Sequence, residues 1–381
     1  MLVFPAVLLP LTGQLNLSLA EVLELSFWMY LLFGITAFPW GIAGDRWGVR
    51  KLFFLYYLGA GFSSFLVAWG INNPTILTLG MAGIGLFSGI YHPIGLGWIS
   101  NEIRQVSIGM GYNGMFGNLG LAFAPLFAGV INWLWGPREV YIVLGFLNLS
   151  GLAVMLVLRA SPKSQDISET SPRKGKDQLT AFLILLVAMM LGGIEYRGSS
   201  VIMPTYLEIK SAGLFQWVNS VFSDNISKNL MATAVTSAIF LIGMGGQYFG
   251  GYISSRFDLK FCLVAFHAIT VPVAFLMFYV SSTSLIVIAL VYFFFLLGMQ
   301  PIENTLVAKY TPPKLRHSAF GLKFILTFGV GSLSIKIVGA IEKNLGLPYV
   351  FPFIGSVAVV LVCVVAILIV KTWVEDYPKH P

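Results

Sequence analysis

Five polar side chains stand inside long apolar runs of this 381-residue chain: His92, Glu195, Arg197, Gln300 and Glu303. Placing an ionisable group inside a membrane-spanning helix costs about 2.5–3.5 kcal/mol, so each is a candidate for function. Imidazole titrates near pH ~6.5, so His92 can take up or release a proton near neutrality, or it can hydrogen-bond locally and stiffen a kink at Pro93. Arg197 keeps its charge and would serve as a fixed cation for an anionic solute or for a buried carboxylate. Glu195 lies two residues away on a different helix face, which leaves Glu303 as the carboxylate expected to pair with Arg197. The chemistry on offer is binding and proton exchange. The sequence has no catalytic triad, metal-ligand cluster or nucleotide loop, so neither an enzyme nor a cofactor or metal is expected. Cys262 and Cys363 both fall in apolar runs, which argues against a disulfide framework.

The elements that must position these residues are membrane helices. Hydrophobic residues make up 57% of the chain and charged residues only 10%, whereas a soluble domain carries about a quarter charged residues. Apolar runs are expected to span at 1–13, 24–43, 52–70, 76–99, 107–134, 139–158, 180–206, 230–253, 261–280, 284–308, 318–341 and 348–371. Most have the length of about twenty residues that crosses a bilayer core of about 30 Å. The first, MLVFPAVLLPLTG, is too short, and its Pro5 and Pro10 followed by polar QLNLS read as the outer end of a span whose start lies upstream. The fold class is therefore an all-α membrane protein of twelve helices in two six-helix halves. Residues 1–158 and 180–381 form the halves, and the Ser-, Pro- and Lys-rich segment 159–179 is the linker.

Charge placement orients the chain. Sixteen of the 23 Lys and Arg residues fall in loops on one side, among them Arg46, Arg50, Lys51, Arg256 and the linker cations. That side, with the C-terminus, is expected to be cytoplasmic in a multi-pass protein of the cell membrane. The net charge of +7 is explained by this asymmetry and needs no nucleic acid. On the other side, Leu214, Trp217, Val218, Val221 and Phe222 recur at helical spacing, which predicts a short amphipathic helix at the interface.

The halves repeat. GIAGDRWGVRK after the second span aligns with GYISSRFDLK after the eighth, and GIYHPI in the fourth aligns with GMQPI in the tenth. Duplicated halves suggest alternating access around a site between them. Gly41, Asp45, Arg46, Gly48, Arg50 and Lys51 resemble the loop signature of the major facilitator superfamily, with Val49 in place of a usual basic residue. In the second half only Arg256 keeps the pattern, and Ser255 stands where the Asp would be. The resemblance implies a conformational latch at this loop, with Asp45 accepting and Arg46 and Arg50 donating charge-assisted contacts. Gly111, Gly120, Pro125 and Gly129 of the fifth span resemble a pattern associated with drug and proton antiporters. His92-Pro93 with Gly117-Asn118 is similar to the fosmidomycin-resistance branch, although Ile94 replaces the carboxylate expected there.

In that superfamily the first, fourth, seventh and tenth spans line the cavity, which is where His92, Glu195, Arg197, Gln300 and Glu303 fall. The resemblance implies a monomeric secondary transporter in the lipid bilayer, moving a small-molecule substrate with protons as the coupling partner. Export is the first expectation, and import of an organic anion by symport or uniport is the alternative. A non-transporting receptor is a third reading. Lys336, read as deep in the eleventh span near the seam of the halves, is expected to gate; Lys323 is expected to snorkel to the surface.

Overall fold

The computed structural model describes residues 3–102, 106–157, 176–222, 226–310 and 316–376. Among them the chain is helical throughout, with no strand. In a medium without water every backbone N–H and C=O must be satisfied within its own segment, and helices do this. Eleven helices are long and apolar enough to cross a membrane. A shorter helix precedes them, so the helices are labelled α1 (Leu8–Leu15), α2 (Leu19–Gly44), α3 (Val49–Trp69), α4 (Pro74–Leu96), α5 (Val106–Leu134), α6 (Pro137–Val157), α7 (Lys176–Lys210), α8 (Lys228–Ser254), α9 (Leu259–Tyr279), α10 (Ser282–Tyr310), α11 (Phe320–Leu345) and α12 (Val350–Asp376). The expected linker lies almost wholly outside the described residues; α7 already begins at Lys176.

The expected first span is not a continuous helix. Residues 3–15 form Val3–Ala6, which is buried, and α1, which buries Leu8 and Leu11, with an interruption at Val7. Val3–Ala6 packs against α5 and α7.

Polar residues mark where helices begin. Ser18 and Glu21 form a reciprocal capping box at the start of α2, Asn73 caps α4 with Pro74 in the first turn, and Asp258 caps α9. Gly48 adopts φ +83° between α2 and α3, a left-handed conformation that a side chain disfavours, so the loop turns there.

Two spans depart from regular α-helix. In α2 the Oγ of Ser26 donates to Leu23 O at 2.7 Å and the Oγ1 of Thr36 donates to Leu32 O at 2.6 Å, a local competition that interrupts the helix on both sides of Phe27–Ile35. In α11 a π-helical turn, Ile325–Gly329, is followed by a 3₁₀ turn, Val330–Ser332. Such insertions re-aim side chains and often mark functional positions.

The halves meet along α2 with α11 and α5 with α8. At the first crossing a Cβ added to Gly34 would stand 2.1 Å from the backbone N of Gly329. At the second, one added to Gly129 would stand 1.9 Å from the Oγ1 of Thr233. Small residues set both distances of approach.

Candidate functional site

The irregular turn of α11 organises the seam. Its backbone is pressed by α2 at Gly34 and by α7 at Gly193, whose added Cβ would lie 2.2 Å from Thr327 O. Held there, Phe324 and Phe328 stack on each other at 5.6 Å and meet His92 of α4, at 5.3 and 6.0 Å between ring centroids. Phe33 of α2 joins, 5.6 Å from His92 and 5.2 Å from Phe328. Phe328 also lies 5.8 Å from the guanidinium of Arg197. His92 and Arg197, one from each half, thus border the same ring.

Arg197 is 4% exposed and places its guanidinium 4.2 Å from the ring centroid of Tyr30, across the seam on α2. Cation–π contact of this kind contributes about 2 kcal/mol when desolvated. Among the described residues no carboxylate pairs with Arg197, and its Nε has no hydrogen-bond partner. The hydroxyl of Tyr141 and the Oγ1 of Thr327 are likewise buried without partners. A buried cation without a counter-charge is costly.

The carboxylates expected near Arg197 are engaged elsewhere. Glu303 forms an ion pair with Lys323 at 3.4 Å, and Lys323 also donates to Asn304 Oδ1 at 2.6 Å. Lys323 is buried, which corrects the expectation that it reaches the surface. Glu195 turns into the C-terminal half: its Oε2 lies 3.3 Å from the Nδ1 of His267 on α9, and Tyr292 of α10 donates its hydroxyl to Oε1 at 3.2 Å. Gln300 accepts from the Nε2 of Gln247 at 2.9 Å, and Gln247 exchanges amide hydrogen bonds with Asn118 of α5, so an amide chain ties α5, α8 and α10 across the seam.

Sequence reading missed His267, Tyr292 and Gln247. The cost of an ionisable group inside a span, which marks His92, applies equally to His267, but the ninth span is not among those that line the cavity in the family's scheme. Gln247 is the one amide in the glycine- and aromatic-rich segment GMGGQYFG, a signal of the same kind.

The remaining expected residues fall as follows. Gly41 faces Pro93 at ordinary contact distance, and Arg46, Arg50 and Lys51 are exposed, with no ion pair among the described residues. Arg256 is also exposed and lies 4.5 Å over the ring of Tyr252. Asp45 and Gly111 sit in their helices, and their surroundings lie outside the described residues. Pro125 and Gly129 are buried in α5, whereas a Cβ on Gly120 would meet nothing within 4 Å. Lys336 pairs with Glu24 of α2 at 3.5 Å, but the side chains are 51% and 65% exposed, so it is at the seam as expected and not deep. The helix Ala212–Phe222 is present, with Phe215 buried beneath it and Trp217 exposed.

Residues 1–335 match the family model described as Major Facilitator Superfamily. A solved structure of a mutant of the nucleoside transporter NupG superposes with a TM-score of 0.70, covering 96% of this chain and 96% of that chain at 15% sequence identity. At that identity the likeness speaks to the fold. No curated protein matches by sequence.

Proposed function

The chain belongs to the major facilitator superfamily, whose members are secondary transporters of small solutes, and we propose that it carries a small organic anion across the cell membrane by alternating access, coupled to protons. The observation that carries the anion is Arg197, buried at the seam with no carboxylate paired to it among the described residues and stacked on Tyr30 of the opposite half. Phe33, Phe324, Phe328 and His92 supply flat faces beside it, which suits an anion on an aromatic or other planar body.

Alternating access gives roles to both ends of the seam. The GDRWGVRK loop, with Arg256 in the other half, is the latch at one end, and the Glu24–Lys336 pair gates the other. The protein works as a monomer, with the C-terminus in the cytoplasm. Export by antiport is the second reading, favoured by the fifth-span pattern whose Gly129 packs directly on Thr233 of the other half. Resemblance to the fosmidomycin-resistance branch rests on His92-Pro93 and Gly117-Asn118.

Uptake and efflux in proteoliposomes of defined orientation test the reading. Benzoate, nicotinate and citrate are offered beside uncharged nucleosides and cationic dyes. The expected result is saturable flux of an anion that falls at least tenfold in Arg197→Gln and recovers in part in Arg197→Lys, a loss of about 1.4 kcal/mol or more. Flux of nucleosides or cations that survives Arg197→Gln removes the anion assignment.

A further inference from the structure

Glu195, His267 and Tyr292 form a buried titratable cluster apart from the aromatic seam. Glu195 is 0% and His267 is 1% exposed. Oε2 of Glu195 and Nδ1 of His267 stand 3.3 Å apart without hydrogen-bond alignment, and neither has another partner. Tyr292 satisfies the other carboxylate oxygen, and Nε2 of His267 is also unpartnered. The two atoms face each other in an apolar interior, each without a hydrogen bond, and a proton held between them, on Nδ1 or on Oε2, serves both.

We infer that this cluster is the proton site of the transporter and that it is linked to Arg197 through the two faces of α7, so that a proton and an organic anion are carried together. The second half of the inference rests on the anion reading of Arg197; the first half stands without it.

The link follows from helical spacing. Glu195 faces α9 and α10 inside the C-terminal half, and Arg197, two residues on, faces α2 across the seam. With Glu195 ionised, its negative charge offsets the field of Arg197 and weakens anion binding. When the proton adds to Oε2, the carboxylate becomes a neutral acid, and the cation on the opposite face is free to attract an anion. The two ligands therefore favour one another, and by linkage the effect is reciprocal.

A route to the cluster lies along the same side of α7. Gly192 precedes Glu195 by three residues and shares its face, and a Cβ there would stand 3.5 Å from Oε1 of Glu303. The Glu303–Lys323 pair thus lies one turn nearer the GDRWGVRK end, with Asn304 exposed beside it. The groups facing the pair are Tyr292 from α10 and the neighbouring hydroxyl of Ser199 on α7, which donates to the backbone O of Glu195. Helices α8 and α12 also pack on α7, and among the described residues they bring no charged side chain into contact with Glu195 or His267.

The test is infrared difference spectroscopy of the full chain in lipid nanodiscs over a pH series with no solute present, reading the C=O stretch of a buried protonated carboxyl. The wild type should gain this band on acidification. It should vanish in Glu195→Gln, change frequency and pH range in His267→Gln, and remain in Glu303→Gln. In Arg197→Gln it should persist but appear over a different pH range, because a nearby cation has been removed. Absence of the band in the wild type, or an undiminished band in Glu195→Gln, overturns the proton site. A band that Arg197→Gln leaves unmoved overturns the link between the faces. Size-exclusion profiles qualify each variant as folded, and if Glu195→Gln fails that criterion, His267→Gln decides, an unaltered band counting against the site. Because no solute enters, a failure of anion transport and a failure of the proton site are separate results.

Discussion

The two halves share a fold and differ in what they bury. Among the described residues of the N-terminal half, the buried polar side chains are Ser26, Ser63 and Ser64, all hydroxyls. The C-terminal half buries Glu195, Arg197, Lys260, His267, Glu303 and Lys323. Both halves bring rings, glycines and amides to the seam, but the buried charge there, Arg197, comes from the C-terminal half. An internal duplication therefore did not keep the chemistry symmetrical. One half serves as a shaped wall against which the other half's ionisable groups work, and substitutions in the two should fail for different reasons.

The largest effect is expected where the wall touches the opposite backbone. In Gly34→Leu the new side chain would start 2.1 Å from Gly329 N, a position no rotamer relieves. Overpacking costs about 1–3 kcal/mol when neighbours can yield, and a backbone cannot yield easily. Loss of the monodisperse folded fraction in detergent should follow; a variant with wild-type thermal stability breaks the description of this crossing.

Charge-half substitutions should instead show pairwise compensation. Removing one member of the buried Glu303–Lys323 pair, as Glu303→Gln or Lys323→Met, should cost about 3–5 kcal/mol because it strands the other charge. The double variant should recover much of this loss. Additive losses in a thermal-unfolding cycle would mean that the two groups are not coupled as their 3.4 Å separation implies.

The smallest effect belongs to the exposed tie between the halves. Glu24→Ala or Lys336→Ala should change stability by about 0–1 kcal/mol, since a solvated pair contributes little. If Lys336 gates, cysteine cross-linking between the ends of α2 and α11 should change in rate even so. A change of several kcal/mol would show that the pair is held away from water.

Much of the fold was legible because hydropathy alone sets the length and number of spans. The capping residues Asn73 and Asp258 stand where polar sequence interrupts the apolar runs. Arg197 and His92 were legible as costly residues in spans, but their meeting at Phe328 depends on the π-helical turn of α11, which ILTFG does not announce. The pairing of Glu303 with Lys323 rather than Arg197 is a tertiary fact: the partners stand twenty residues apart in sequence, and periodicity cannot rank one distant cation over another. The same holds for Glu195, whose position was readable and whose direction was not.

The crossing of Gly34 and Gly329 has a mechanical meaning. Where side chains interlock, sliding two helices past each other requires rotamers to be unlocked and set again. Here Gly34 meets the main chain of Phe328 and Gly329 directly, and the nearest side chain on the other side is Ile35, so few rotamers at the point of contact need resetting. Such a joint would suit a bearing: if the halves rock, their separation at this point stays fixed and the amplitude grows with distance along α2 and α11 toward either face of the membrane.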